Sequence, residues 1–322
     1  MNLHSVLRAL AGAAAVAGAL ASAQAQAQSV AVTSIVEHPA LDAVKDGVHE
    51  ALASAGYTEA KGLKWQFQTA QGNTAIAAQI ARKFVGDKPD VIVAIATPSA
   101  QAVVAATKSI PVVYSAVTDP VAAQLVPGME ASGTNVTGVS DALSLEKQID
   151  LIKKVVPEAK KVGMVYNPGE ANSVVVVKRL RELLPQSGMS LVEATAARTV
   201  DVGAAARSLV GKVDVIYTNT DNNVVSAYES LVKVGNSAKI PLVASDTDSV
   251  KRGAIAALGV NYHDLGVQTG KLVVRILKGE KPGAIASETS SKLELYVNTG
   301  AAAQQGVTLS DALVKSAAQV IK

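Results

Sequence analysis

The sequence reads as an α/β protein of two similar three-layer units, each a parallel sheet wrapped by helices. Three observations lead there. Short β-branched runs alternate with amphipathic stretches along most of the chain. The runs are apolar nearly throughout instead of every second residue, which requires burial on both faces. Apolar residues make up 49% of the 322 residues and aromatics only 3%, so the core is built from Ala, Val, Leu and Ile and not as an aromatic-rich sandwich. A chain of this length accommodates two domains, each with a core large enough to need no staples.

The first twenty-eight residues stand apart from that pattern. Arg8 supplies a positive start, Ala9 to Leu20 an apolar run of twelve residues, and ASAQAQAQ several small-x-small sites. A secretory signal peptide over 1–28 is expected, cut after Ala23, Ala25 or Ala27. The apolar run is too short for a membrane anchor, which needs roughly 20 residues.

From Ser29 the strand-like runs are 29–35, 63–69, 91–96 and 110–115, then 161–167, 189–195, 213–219, 240–245 and 253–260. Helical spacing falls between them, at Val44, Val48, Ala51, Leu52 and Ala55, at Ile76, Ile80 and Phe84, at Leu145, Ile149, Ile152 and Val156, and at Leu265, Thr269, Leu272 and Ile276. Between Ser115 and Leu143 the alternation stops in a stretch rich in Gly, Pro, Ser and Thr, and then it restarts. The chain is expected to pass from one unit to the other near Asp141. After KGEKP, a late strand is expected over 293–297 and a short helical cap from Gly300 to Lys322.

Composition excludes several chemistries. With no cysteine there are no disulfides, thiolate metal sites or cysteine nucleophiles. The net charge of +3 carries no basic run, so nucleic acid is not a partner. No GxGxxG, GxxxxGK[ST], HExxH or GxSxG occurs, and no carboxylate–histidine pattern has metal-ligand spacing. Neither a cofactor nor a metal is called for. His49 and His263 fall on predicted helices as surface residues; His38 follows the first strand, where a ligand could touch it.

Ligands of open parallel sheets bind beyond the carboxyl ends of strands, against free helix N–H groups. The residues there are hydroxyls, amides and carboxylates without Arg or Lys. Many suit simple helix capping. Together they suit a small neutral or zwitterionic ligand better than a phosphate. Its carboxylate fits the helix opening TPSAQ, where Pro98 suits the first helical position. Its ammonium needs a carboxylate, with Asp221 preferred and Asp246 second. Tyr166, Tyr217 and His38 are candidates to face its side chain.

The chain also resembles the substrate-binding proteins of ABC transporters with type I periplasmic-binding architecture, in the branch with tryptophan- and tyrosine-binding members. The resemblance rests on EHPALDAVKDGVHEALASAGY, QTAQGN, PDVIVAIATPSAQAV, IPVVYSAVTDPVAAQLV, NVTGVSDALSLEKQIDLIKKVVPEAKKVGMVYNPGEANSV, DVIYTNTDNNVVSA and IPLVASDTDSVKRGAIAALGVNYHDLGVQTGKLVVRILKGEKP, in that order. It implies two lobes, 29–141 with 262–287 and 142–261 with 288–322, joined by three crossovers and closing on a ligand. It implies cleft residues Thr97, Ser99, Gln101, Ser115, Thr118, Asp119, Asn172, Ser173, Asp221, Asn222 and Asp246, with His38 added from the strand-end reading. Its partners would be a small molecule and an inner-membrane permease with its ATPase, the chain itself acting as a monomer. Many relatives are lipoproteins. Lacking the cysteine to be acylated, this chain is expected free in the periplasm. A ligand-presenting sensory protein, a periplasmic enzyme using Asp246 and Asp248, and a repressor's effector core are the alternatives; no helix-turn-helix precedes Ser29.

Overall fold

Runs such as VIVAI and VVYSAV have no polar face to offer water, so each must lie inside a sheet covered on both sides. A computed structural model describes residues 27–290 and 292–322. Of the expected signal peptide all but Ala27 and Gln28 therefore lies outside the described residues. The chain begins β1 (Ser29–Ser34), α1 (Pro39–Ser54), β2 (Lys64–Thr69), α2 (Thr74–Asp87), β3 (Val91–Ile95), α3 (Thr97–Ala106), β4 (Val112–Val117) and β5 (Val136–Ser140). After a first crossing come α4 (Leu145–Val155), β6 (Lys161–Tyr166), α5 (Ala171–Leu183), β7 (Ser190–Thr195), α6 (Val202–Ser208), β8 (Val215–Thr218), α7 (Asn222–Ser226), α8 (Tyr228–Ala238), β9 (Leu242–Ala244), α9 (Thr247–Lys251) and β10 (Ala256–Val260). The chain then returns through α10 (Tyr262–Leu277) to β11 (Glu288–Thr289), and crosses again to β12 (Leu293–Asn298), α11 (Thr299–Gln304), α12 (Asp311–Ser316) and β13 (Gln319–Ile321).

Two sheets result, ordered β11-β5-β4-β3-β1-β2 and β13-β12-β10-β9-β8-β6-β7. Every pairing is parallel except β12 against β10. Val91 to Ile95 and Val112 to Val117 are buried at every residue, as their composition requires.

Helix α10 lies on α1 in the first lobe at a distance only glycine permits. A Cβ added at Gly266 would stand 2.2 Å from the carbonyl oxygen of Val44, and one at Gly47 would stand 2.3 Å from that of His263. The two backbones touch directly, and Val44, Val48, Leu265 and Val273 seal the contact from water.

The structure departs from the sequence reading at four places. β5 lies inside the stretch read as irregular; Gly138 interrupts its apolar run because a Cβ there would meet the buried Tyr114 at 2.4 Å. β12 runs antiparallel, a direction that residue pattern does not encode. The C-terminal segment forms two short helices and then the edge strand β13, not a helical cap alone. The last crossing follows β11, which pairs with β5 through Glu288 and Thr289, two residues past the expected boundary at 287.

Candidate ligand-binding site

Strand order reverses between β1 and β3 in the first sheet and between β6 and β8 in the second. A crevice opens at such reversals because the helices leaving adjacent strands go to opposite faces. The two crevices face each other across a small pocket. His38, Ala96, Thr97, Ala116 and Thr118 line it from the first sheet, Asn172, Thr220, Asn222 and Asp246 from the second, and Asp141 and Tyr262 from two of the crossings. Thr118 and Thr220 share a hydrogen bond of 3.3 Å from lobe to lobe.

On the first-lobe side the backbone is strained. Ala96 has φ 70° and Ala116 φ 54°, each just beyond or at the end of a buried strand. Left-handed conformations in non-glycine residues cost of order 1 kcal/mol or more and persist where the surroundings impose them. The turn at Ala96 sends the chain straight into α3, whose first residue, Thr97, is 1% exposed. Its Oγ1, like Ser99 Oγ, has no hydrogen-bond partner among the described residues. The free N–H groups of this helix start attract an anion.

His38 caps α1, its Nδ1 accepting weakly from the Leu41 N–H at 3.5 Å. Burial, and then the Arg252 charge, lowers its pKa to about 3, so the ring is neutral. Asp141 follows β5 at the first crossing. Its Oδ2 accepts from the Tyr262 hydroxyl at 2.8 Å, while Oδ1 has no partner among the described residues. Burial pushes this carboxyl above the usual range, against the pull of its bond to Tyr262. No Lys or Arg is among the residues that line the pocket.

The second-lobe side is a hydrogen-bonded frame around Glu170. Its carboxylate accepts from the Asn222 N–H at 3.1 Å, Asn222 Nδ2 at 2.6 Å and Asn172 Nδ2 at 3.1 Å. Burial, and next the Asp221 charge, raises its pKa to about 7. Asn172 also donates to the Thr220 carbonyl at 3.1 Å, which holds the loop before α7 in place. Asp246 caps α9 and accepts from Ser249 N–H and Oγ at 2.8 and 2.6 Å.

Of the twelve residues expected here, His38, Thr97, Thr118, Asn172, Asn222 and Asp246 come together on this pocket. The other six do not line it, although Asp119 borders the adjoining pocket. Ser115 Oγ is bound to Thr269 Oγ1 at 2.7 Å and ties α10 to the first sheet. Gln101 donates to the Ala123 carbonyl at 3.2 Å, and Asp119 Oδ1 accepts from Val121 and Ala122 in the following turn. Ser99 is fully buried behind Thr97 in the first turn of α3. Ser173 donates to Asp221 at 2.6 Å. Asp221 itself does not line the pocket, its oxygens accepting from Asn167 N–H at 2.6 Å, Ser173 Oγ and Val224 N–H at 3.0 Å. Sequence reasoning passed over Asp141, Tyr262, Thr220 and Glu170 as site residues. A carboxylate standing where the chain leaves one sheet for the other was the available signal for Asp141. Glu170 is one of the strand-end residues, and nothing in the sequence separates it from its neighbours, because its burial depends on a loop fifty positions downstream.

The sequence profile of one family, described as ABC transporter substrate binding protein, matches residues 29–321. The chain belongs to this family. It is a substrate-binding protein and not an enzyme. It is 43% identical over 269 residues to the tyrosine-binding protein of Clostridioides difficile (strain R20291), covering 84% of this chain and 78% of that one. Among solved structures it is similar to an ABC domain from Streptococcus pneumonia in complex with L-Trp, at 33% identity and TM-score 0.88, over 91% of this chain and 99% of that. It is also similar to the ligand-free, open structure of a substrate binding protein with adhesive properties from Clostridium difficile, at 39% identity and TM-score 0.68, over 92% of this chain and 99% of that. Among the described residues of the substrate-binding protein, no helix is long and apolar enough to cross a membrane.

Proposed function

We propose that this protein captures an aromatic amino acid, tryptophan or tyrosine, between its two lobes in the periplasm and presents it to the permease and ATPase of an ABC importer. One observation carries the reading. A pocket between the lobes has, among the described residues, an unpaired carboxylate oxygen at Asp141 on one side and an unpaired hydroxyl at Thr97, on the start of α3, on another. That pair complements a zwitterion: the helix start takes its carboxylate and Asp141 its ammonium. With His38 neutral, the residues lining this pocket offer no competing cation; Arg179 lies on the adjoining one.

Hinge closure is supported by the relatives. This chain superposes better on the L-Trp complex, at TM-score 0.88, than on the open, ligand-free protein at 0.68, although the latter is the closer in sequence. The Thr118–Thr220 bond from lobe to lobe supports the same reading. A ligand that touches both lobes favours that arrangement by its differential affinity for it. The lobes proposed to move are 29–141 with 262–287, extended to β11, and the remainder of the mature chain.

Titration calorimetry of the mature protein against the L-amino acids and neutral solutes tests this. Tight binding is expected for tryptophan or tyrosine, and far weaker binding for indole-3-propionate, which lacks the ammonium. Saturable binding of a sugar or polyol without binding of any amino acid would refute it.

A further inference from the structure

The pocket between the lobes adjoins a second chamber, with which it shares Thr118, Asp141 and Thr220. Leu143 and Leu145 after the first crossing and Val175, Val176 and Leu183 on α5 give it an apolar stretch of wall, beside the Tyr217 ring and the charged Glu146 and Arg179. Its inner end is different. There Asn219, just after β8, is 2% exposed, and its Oδ1 has no hydrogen-bond partner among the described residues.

The orientation of that amide is fixed by its neighbours. Ser173 gives its single hydroxyl proton to Asp221 Oδ2 at 2.6 Å. Towards Asn219 it can therefore only accept, and it takes a bond from Nδ2 at 3.1 Å. With Nδ2 committed, the carbonyl Oδ1 is left as a free acceptor, on a residue that lines the chamber. A buried acceptor without a donor is unfavourable, and a ligand that brings an N–H or O–H to it is favoured over one that does not.

We infer that Asn219 is a specificity-determining residue: the second chamber takes the ligand's aromatic side chain, and Asn219 Oδ1, aimed by Ser173 and Asp221, accepts the indole N–H of tryptophan or the phenol O–H of tyrosine. This rests on the amino-acid reading above and adds to it the reason for discrimination within the aromatic class. Phenylalanine fills the same walls but has no proton to offer. Binding sites built to hydrogen-bond a substrate group reject analogues lacking it far more strongly than apolar walls reject a missing methylene. Asp221 and Ser173 contribute as positioning residues.

Calorimetry with two ligand pairs tests it: tyrosine against phenylalanine, and tryptophan against its sulfur isostere 3-(3-benzothienyl)alanine. Wild type is expected to prefer the first member of each pair by about tenfold or more. In Asn219→Leu both preferences are expected to collapse towards unity. Ser173→Ala, which frees the amide to turn its N–H into the chamber, provides a second variant should the first fail to fold, and is expected to lose the tryptophan preference. Equal wild-type affinity within both pairs, or preferences unchanged in a folded Asn219→Leu protein, overturns the inference and leaves the amino-acid reading standing. No wild-type binding of any of the four overturns both.

Discussion

Replacing Asp141 by Asn separates a binding role from a structural one. The side chain keeps its shape and can still accept from Tyr262, but its charge is gone. The carboxylate is 3% exposed, shares one oxygen with Tyr262 at 2.8 Å, and has no countercharge among the residues lining the pocket. Losing a charge-assisted bond to a desolvated ammonium costs about 2 kcal/mol or more, a weakening of roughly thirtyfold in Kd. The empty protein should change in the opposite direction. A buried, uncompensated carboxylate is unfavourable, so the amide should stabilise the ligand-free fold by about 1 kcal/mol, or roughly 2–4 °C in Tm. The pH dependence has a definite sign. Because the folded carboxyl binds its proton more tightly than the unfolded one, wild type loses stability as pH rises through and above the ordinary carboxylate range, and Asp141→Asn removes that component. Calorimetry with tryptophan and indole-3-propionate, beside thermal melts of the empty protein from pH 4 to 8, measures all three. An affinity within threefold of wild type, or an unchanged ratio between the two ligands, would refute the assignment of Asp141 to the ammonium. A Tm several degrees lower would refute the account of its charge in the empty state.

The remaining predictions concern the frame. Asp221→Asn withdraws an acceptor from Asn167 N–H and from the cap of α7, and should lower stability by about 2 kcal/mol while leaving the tryptophan to indole-3-propionate ratio at its wild-type value, as melts and calorimetry will report. Glu170→Gln should flatten the pH dependence of Tm between about pH 4.5 and 7: the folded pKa is raised to about 7, so wild type loses stability as pH rises across that window. Gly266→Ala forces a methyl to within 2.2 Å of the Val44 carbonyl and should cost about 1–3 kcal/mol, read as a fall of several degrees in Tm. An unchanged melt would mean that the α1–α10 contact is looser than described.

Fold class was legible because apolar runs without alternation have only one common solution, and the strand ends then indicated which loops could meet a ligand. β5 was hidden because a strand that packs a tyrosine ring over glycine has no continuous apolar signature. The antiparallel β12 was hidden because strand direction is set by where the chain crosses. Within the site, residue type located the helix starts at Thr97, Asn172, Asn222 and Asp246. It could not tell which hydroxyl or carboxylate is already bonded to its own lobe. Ser115 and Asp221 look as available as Thr97 and Asp141 when written as letters; only partners distant in sequence, Thr269 for one and Asn167 and Ser173 for the other, separate them.

Because the backbones of α1 and α10 are in contact through Gly47 and Gly266, the first lobe supplies a stiff reference frame in which neither helix can slide without steric collision. The sequence contains no cysteine. Single cysteines introduced at exposed Ser54, in the last turn of α1, and at exposed Lys212, in the turn before β8, would therefore take a donor and an acceptor dye with no background labelling. Energy transfer between them would report the angle between the lobes, molecule by molecule, as each captures and releases its cargo.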